Sequence, residues 1–339
     1  MEVLHENGIV MAEVLQDRLL GLEKFWLWAT HLGDPKSVFI VFFPIAYFLD
    51  RKVGVAVLWI ALISEWLNLV FKWFLFGERP YWWVRENGTL RQFPSTCESG
   101  PGSPSGHCMI TGAALWPLLI AASKYVSQLS QSRLVRFLPC AVYGSLMLAV
   151  GVSRIFILAH FPHQVLAGIV TGGVLGHLLS KNIPDEKEFR FYMITSLALL
   201  LGATLLYWSM IGLGIDPSWS IQLASKWCSN PKWVRLDTRP FASVTRSAGS
   251  ALGLGLTVHS LLFSNTNQQV FKGRERLCGV VLALGILHAL DVIPLPADFS
   301  PLFYGLNFLR NAICPLIVMT VVPCIVTFIN RREITPKTE

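Results

Sequence analysis

Long apolar tracts constrain this chain more than any other feature. Roughly 20 consecutive apolar residues are needed to cross a bilayer as a helix, and about nine stretches approach that length. They fall at 25–49, 54–76, 109–123, 137–158, 161–180, 191–212, 248–264, 277–293 and 304–330. The first is interrupted by Gly33-Asp34-Pro35-Lys36, so residues 25–33 can lie flat at the interface instead. Charged residues make up only 14% of the 339, against about a quarter in a soluble chain, and mean hydropathy is +0.51. The expectation is therefore an all-α, polytopic membrane protein. No linker, repeat or low-complexity tract divides it, so residues 1–339 read as one domain. No basic region followed by an apolar core opens the chain, so the first spanning helix is expected to direct it to the membrane.

Orientation follows from the short basic connections. Arg51 and Lys52, then Lys124, Arg133 and Arg136, then Lys181, Lys187 and Arg190, then Lys272, Arg274 and Arg276, and finally Arg331, Arg332 and Lys337 fall on one side. Short loops dense in Lys and Arg face the cytosol. Residues 1–24 are then lumenal or extracellular and the tail 331–339 cytosolic. The sequon Asn87-Gly88-Thr89 falls on the lumenal side, where glycosylation occurs. In a chain this apolar, the net charge of +7 reads as cytosolic anchor charge plus a site for an anion, with lipid and not nucleic acid as the surrounding partner. Seven cysteines without a CxxC pair argue against structural zinc. Cys97, Cys108 and Cys228 lie on or near the lumenal side, where disulfides can form, and one of the three must stay unpaired if the others bond.

Against this apolar background a few polar residues stand out. Glu65, Asn68 and Lys72 are spaced by three and four residues, on one helical face, and Arg79 follows seven residues later. Glu65 and Asn68 suit bonding between helices as well as they suit a site. Charges at membrane depth such as Lys72 and Arg79 point to function. Gly102, Pro104 and Gly106 shape a tight turn, and Ser105, Gly106 and His107 open a helix whose N–H groups can hold an anion. A plain Ser cap with a solvent-facing His is the alternative. Ser153 and Arg154 end one apolar tract, His160 precedes the next, and Pro162 suits its first turn. All of these collect on one side. They can line a polar pocket at the ends of several helices, where polar groups at membrane depth are tolerated. Arginines and a lysine grip phosphate, helix-terminal N–H groups stabilise its growing charge, and two histidines can divide nucleophile and acid between them. His107, His160 and His163 are also a conceivable zinc set. Pro162 within the pair and the nearby arginines argue against it, so no metal or cofactor is expected.

The order Lys72-x6-Arg79-Pro80, Pro104-Ser105-Gly106-His107, Ser153-Arg154-x5-His160 resembles the three-part signature of the type 2 phosphatidic acid phosphatase and vanadium haloperoxidase superfamily. FKWFLFGERPYWW, CESGPGSPSGH, SRIFILAHFPHQVLAG and RPFASVTRSAGSALGLG are similar to the catalytic subunits of the glucose-6-phosphatase family, over nearly the whole chain. The resemblance implies nine spans around a helical core of that superfamily, in the endoplasmic reticulum membrane, with the active site lumenal. It implies His160 as the nucleophile that becomes phosphohistidine, His107 as general acid, and Lys72, Arg79, Ser105, Gly106 and Arg154 as the phosphate cradle. The substrate it implies is glucose-6-phosphate, with 1,5-anhydroglucitol-6-phosphate as a second, supplied by a glucose-6-phosphate transporter in the same membrane. Many superfamily members carry an Asp four residues after the nucleophile. Here that position is Gln164, which can accept a hydrogen bond from the imidazole but brings no charge. Glu98 or another acid would then have to supply charge from elsewhere. His163 is left to a structural bond to the backbone. Glu98, Asp34 and Gln16 are the polar candidates for contacting the sugar; Trp82 and Trp83 are aromatic ones, for which a place in the interfacial belt is the stronger reading. A lipid phosphate or pyrophosphate phosphatase of the same superfamily, and an organic-anion transporter, are the alternatives.

Overall fold

The computed structural model describes residues 2–84, 90–184, 187–267 and 269–334; Asn87 lies outside them. Among the described residues the structure is helical, without strands. The helices are α1 Glu2–Leu19, α2 Glu23–Leu32, α3 Pro35–Ser37, α4 Phe43–Leu49, α5 Arg51–Leu75, α6 Pro80–Trp83, α7 Gly106–Leu129 and α8 Arg133–Phe156. They continue as α9 Pro162–Leu179, α10 Phe189–Gly212, α11 Trp219–Trp227, α12 Pro240–Val258, α13 Leu261–Asn267, α14 Gly273–Val292, α15 Ser300–Leu316 and α16 Val322–Ile334.

Five stretches are long and apolar enough to cross a membrane: Arg51–Trp83, Gly106–Leu129, Arg133–Phe156, Phe189–Gly212 and Ser300–Asn330. A sixth forms if Glu2–Leu32 and Pro35–Leu49 count as one span, bent by 61°. The bend sits at the expected interruption, where Asp34 Oδ1 accepts from Lys36 N at 2.8 Å and Pro35 opens the next helix. The expected spans 161–180, 248–264 and 277–293 coincide in part with α9, α12 and α14, whose glycines and polar residues dilute their apolar character. Leu134, Phe137, Leu138 and Leu148 of α8 and Leu197, Leu201, Leu205 and Trp208 of α10 are exposed. This is the pattern of helices that face lipid on one side.

Helix α12 departs most from expectation. It begins at Pro240, not at 248, and so takes Arg246 into the helix, where it is buried. The charge is tolerated there because Glu65 of α5 neutralises it. Arg246 Nη2 donates to Oε1 at 2.5 Å and Nε to Oε2 at 3.2 Å, and Ser247 Oγ donates to Oε2 at 2.9 Å. Small residues bring the helices close. A Cβ on Gly253 of α12 would come within 2.1 Å of Ala312 O of α15. One on Gly168 of α9 would come within 2.7 Å of Ser105 O, at the start of α7. Helices α5, α7, α8 and α9 each carry expected site residues at one end and a basic cluster at the other, so their loops separate into two faces.

Candidate active site

Three loops, far apart in sequence, are stitched together by their backbones. Phe76, in the left-handed region at φ 47°, ends α5 and turns the chain toward Arg79. Gly102 N donates to Gly77 O at 2.6 Å, Ser105 N to Gln164 O at 3.1 Å, and Tyr81 N to Leu158 O at 3.3 Å. Leu158 is itself left-handed, at φ 62°, a conformation costing about 1–2 kcal/mol for a residue with a Cβ. Its turn folds the chain back so that the amides of Ala159 and His160 both donate to Arg154 O. Arg154 and His160 are thereby fixed side by side.

Arg79 is fully buried. Its Nε donates to Gly100 O at 2.6 Å, Nη1 to Ala159 O at 3.0 Å and Nη2 to Pro101 O at 3.2 Å. Arg154, equally buried, donates from Nη1 to Thr30 Oγ1 at 2.6 Å and from Nη2 to Glu98 Oε1. His107 is buried, which removes the solvent-facing alternative. The Ser105 hydroxyl makes no cap to α7, leaving that terminus open to a ligand.

The tautomer of His160 follows from its partners. Nδ1 faces Gly102 O at 2.8 Å and Gln164 Oε1 at 3.4 Å. Gln164 Oε1 also accepts from Phe161 N, and its Nε2 donates to Glu78 O at 2.7 Å, which fixes the amide orientation. Both oxygens facing Nδ1 are acceptors, so Nδ1 carries the proton and Nε2 keeps its lone pair. Nε2 is buried with no hydrogen-bond partner among the described residues. Gln164 thus contributes mainly by tying three loops together, and a backbone carbonyl is the nearer partner of the imidazole.

Negative charge comes from Glu98. Its Oε2 lies 3.0 Å from Arg79 Nη2 and 3.9 Å from His160 Nε2, and its Oε1 binds Arg154 and lies 3.7 Å from His107 Nδ1. Burial alone would raise the Glu98 pKa, but Arg154 and Arg79 hold it well below the usual carboxylate range. Burial, then Arg79 and Arg154, push His160 well below the ordinary imidazole value.

A cavity opens beside this cluster and reaches it at Lys72, Glu98 and His107; Arg79, Ser105, Arg154 and His160 do not line it. Asp34, Asn68, Lys72, Glu98, Gly106 and His107 line it from the expected set. Arg235, Asp237, Thr238, Arg239, Ser243 and Arg246 line it from a region to which the sequence assigned no role. The RPFASVTRSAGSALGLG similarity was the only signal there. Asn68 Nδ2 donates to Pro104 O at 3.3 Å and braces the turn.

Gln16 is not at the cavity. Its amide donates to Phe156 O at 2.6 Å and Arg91 O at 3.0 Å and accepts from Arg91 N, so it joins helices instead of contacting sugar. Trp82 is packed in the core, and Trp83 Nε1 donates to Glu78 Oε2 at 2.6 Å. His163 does not make the expected backbone bond through Nδ1, which is buried without a partner among the described residues. It stacks on Phe161 and His5 beside a different cavity, so the three histidines are not gathered on one point. Cys97 and Cys228 form a disulfide, and Cys108 is free and buried.

Residues 53–188 match the PAP2 superfamily, a segment that contains all three loops. The chain is 54% identical to glucose-6-phosphatase 3 of Bos taurus and 53% identical to that of Homo sapiens, each over 99% of both chains. The chain belongs to the glucose-6-phosphatase family. Within that family, identity to glucose-6-phosphatase catalytic subunit 1 of Haplochromis nubilus is lower, 38% over 95% of this chain and 96% of that one. No solved structure matches the chain.

Proposed function

We propose that this protein hydrolyses glucose-6-phosphate to glucose and phosphate through a phosphohistidine on His160, with 1,5-anhydroglucitol-6-phosphate as a second substrate. The observation that carries the mechanism is the unbonded, buried Nε2 of His160 beside two buried arginines. Arg79, Arg154 and Lys72, with the Ser105 hydroxyl and the amides at Gly106, hold the phosphoryl oxygens. His160 Nε2 attacks phosphorus as the P–O6 bond breaks, and His107 gives its proton to the departing sugar oxygen. The Nδ1–H bond to Gly102 O supports the imidazolium that results. Water then attacks phosphorus and returns its proton to His107, the P–N bond breaks, and phosphate leaves. Asp34 and Glu98 remain the candidates for the sugar hydroxyls, since both line the cavity.

We also infer nine spans in the endoplasmic reticulum membrane, with α9, α12 and α14 among them. The site and Asn87 would be lumenal, the tail from 331 cytosolic, and a glucose-6-phosphate transporter would supply substrate. The two-faced separation of site and basic loops supports this orientation, as does the Cys97–Cys228 disulfide, which suits an oxidising compartment.

The test is phosphate release by the purified protein from glucose-6-phosphate, 1,5-anhydroglucitol-6-phosphate and a phosphatidic acid, with His160→Ala as control. Sugar-phosphate hydrolysis that vanishes in the variant is expected. Preference for the lipid would overturn the substrate, and release that survives in the variant would overturn the nucleophile.

A further inference from the structure

One carboxylate sits where the substrate's anion is expected. Glu98 bridges Arg79 and Arg154 and approaches both histidines, with Oε2 3.9 Å from His160 Nε2. A phosphorus atom poised for attack lies about 3–3.5 Å from its nucleophile. Its oxygens would therefore need the space and the N–H donors that this carboxylate takes.

We propose that Glu98 is a built-in stand-in for the substrate's phosphate, filling the site at rest and displaced when a phosphate monoester binds. The inference rests on the phosphatase reading of the same site. Two buried guanidinium groups left without an anion would be costly, and an internal carboxylate removes that cost in the empty enzyme. A phosphate dianion arriving beside it would meet like charge, so the two exclude each other.

The backbone shows which part moves. Tyr81 Oη donates to Glu98 O at 2.9 Å, Cys97 is bonded to Cys228, and Ser220 Oγ donates to Ser99 O at 2.8 Å. The main chain is pinned on both sides of Glu98, so displacement is a rotation of the side chain and not a loop swing. The same cavity offers the carboxylate another cation. Arg239 lines it, and the Nε of Arg239 is buried with no hydrogen-bond partner among the described residues. The returning carboxylate would also help expel product phosphate.

The test compares binding of inorganic phosphate and orthovanadate to the full-length wild type and Glu98→Gln in detergent. Removing the competing charge should tighten phosphate binding about tenfold. Equal or weaker binding by the variant would overturn the proposal and leave Glu98 as a brace for the arginines. If neither protein bound either anion, the phosphatase reading would fail and this inference with it. A second measurement uses the wild type alone, in case the variant does not fold. In a structure with orthovanadate bound, the carboxylate should have left Arg79 and Arg154 while the main chain from Cys97 to Ser99 stays in place. A carboxylate still bridging the arginines beside bound vanadate would overturn the proposal.

Discussion

The two ends of the cavity are built differently. At the phosphate end, Arg79 and His160 are held mainly by backbone carbonyls within residues 53–188, while Arg154 is held by the side chains of Thr30 and Glu98. At the other end, Glu65 of α5 meets Arg246 of α12 across 181 residues of sequence, beside Asp237, Thr238 and Arg239. Main-chain partners cannot be changed by substitution, whereas side-chain partners can. The placing of Arg79 and His160 is thus fixed largely by local chain geometry, whereas the Glu65–Arg246 contact depends on side chains far apart in sequence.

The largest effect should come from the phosphate end. His160→Ala is expected to lower phosphate release from any monoester by about 10³-fold or more, measured by colorimetric phosphate assay. Loss confined to glucose-6-phosphate would break the comparison. His107→Ala should be nearly as severe on sugar phosphates but much milder on the rapid-quench rate of phosphoenzyme formation from p-nitrophenyl phosphate, whose leaving group needs no proton. Arg154→Lys should cost about 10²-fold in kcat/KM on all substrates, because a lysine lacks the planar fork with which Arg154 reaches Thr30 on one side and an anion on the other.

Variants at the far end should separate stability and KM from chemistry. Arg246→Ala leaves Glu65 buried and uncompensated, a loss of about 3–5 kcal/mol that thermal unfolding in detergent should detect. Arg246→Lys keeps the charge and should raise KM for glucose-6-phosphate several-fold while sparing kcat for p-nitrophenyl phosphate. Equal losses on both substrates would mean that the two ends are not separable.

The smallest effect concerns pH. Burial and the two arginines depress the His160 pKa, so Nε2 keeps its lone pair as pH falls through the ordinary imidazole value of about 6.5. The rapid-quench rate of phosphoenzyme formation from p-nitrophenyl phosphate should show no His160 titration near the ordinary value of about 6.5. The sign for stability is opposite. The unfolded chain takes up the proton first, so His160 makes the fold less stable as pH drops below about 6.5.

Motif residues were legible because their chemistry is unusual for the setting. An arginine, a lysine and histidines bordering apolar tracts are costly to keep there unless they form a site, and Lys72, Arg79, His107, Arg154 and His160 converge as expected. Arg246 was not legible. The expected span began at 248, and nothing local reveals a partner 181 residues away. Gln16 misled for a related reason. A polar residue near the expected site looks like a ligand contact until its bonds to Phe156 and Arg91 are seen. Glu98 was legible only as one candidate acid, because sequence shows the need for a charge but not which carboxylate reaches both arginines.

The pairing of Glu65 with Arg246 bears on how such a chain can be dissected. A fragment ending near residue 188 would keep every residue of the three-part signature, yet it would strand Glu65 in an apolar interior. The segment that matches the superfamily is therefore not a detachable module here. Expressing it alone would call for Glu65 to be replaced by an uncharged residue at the same time.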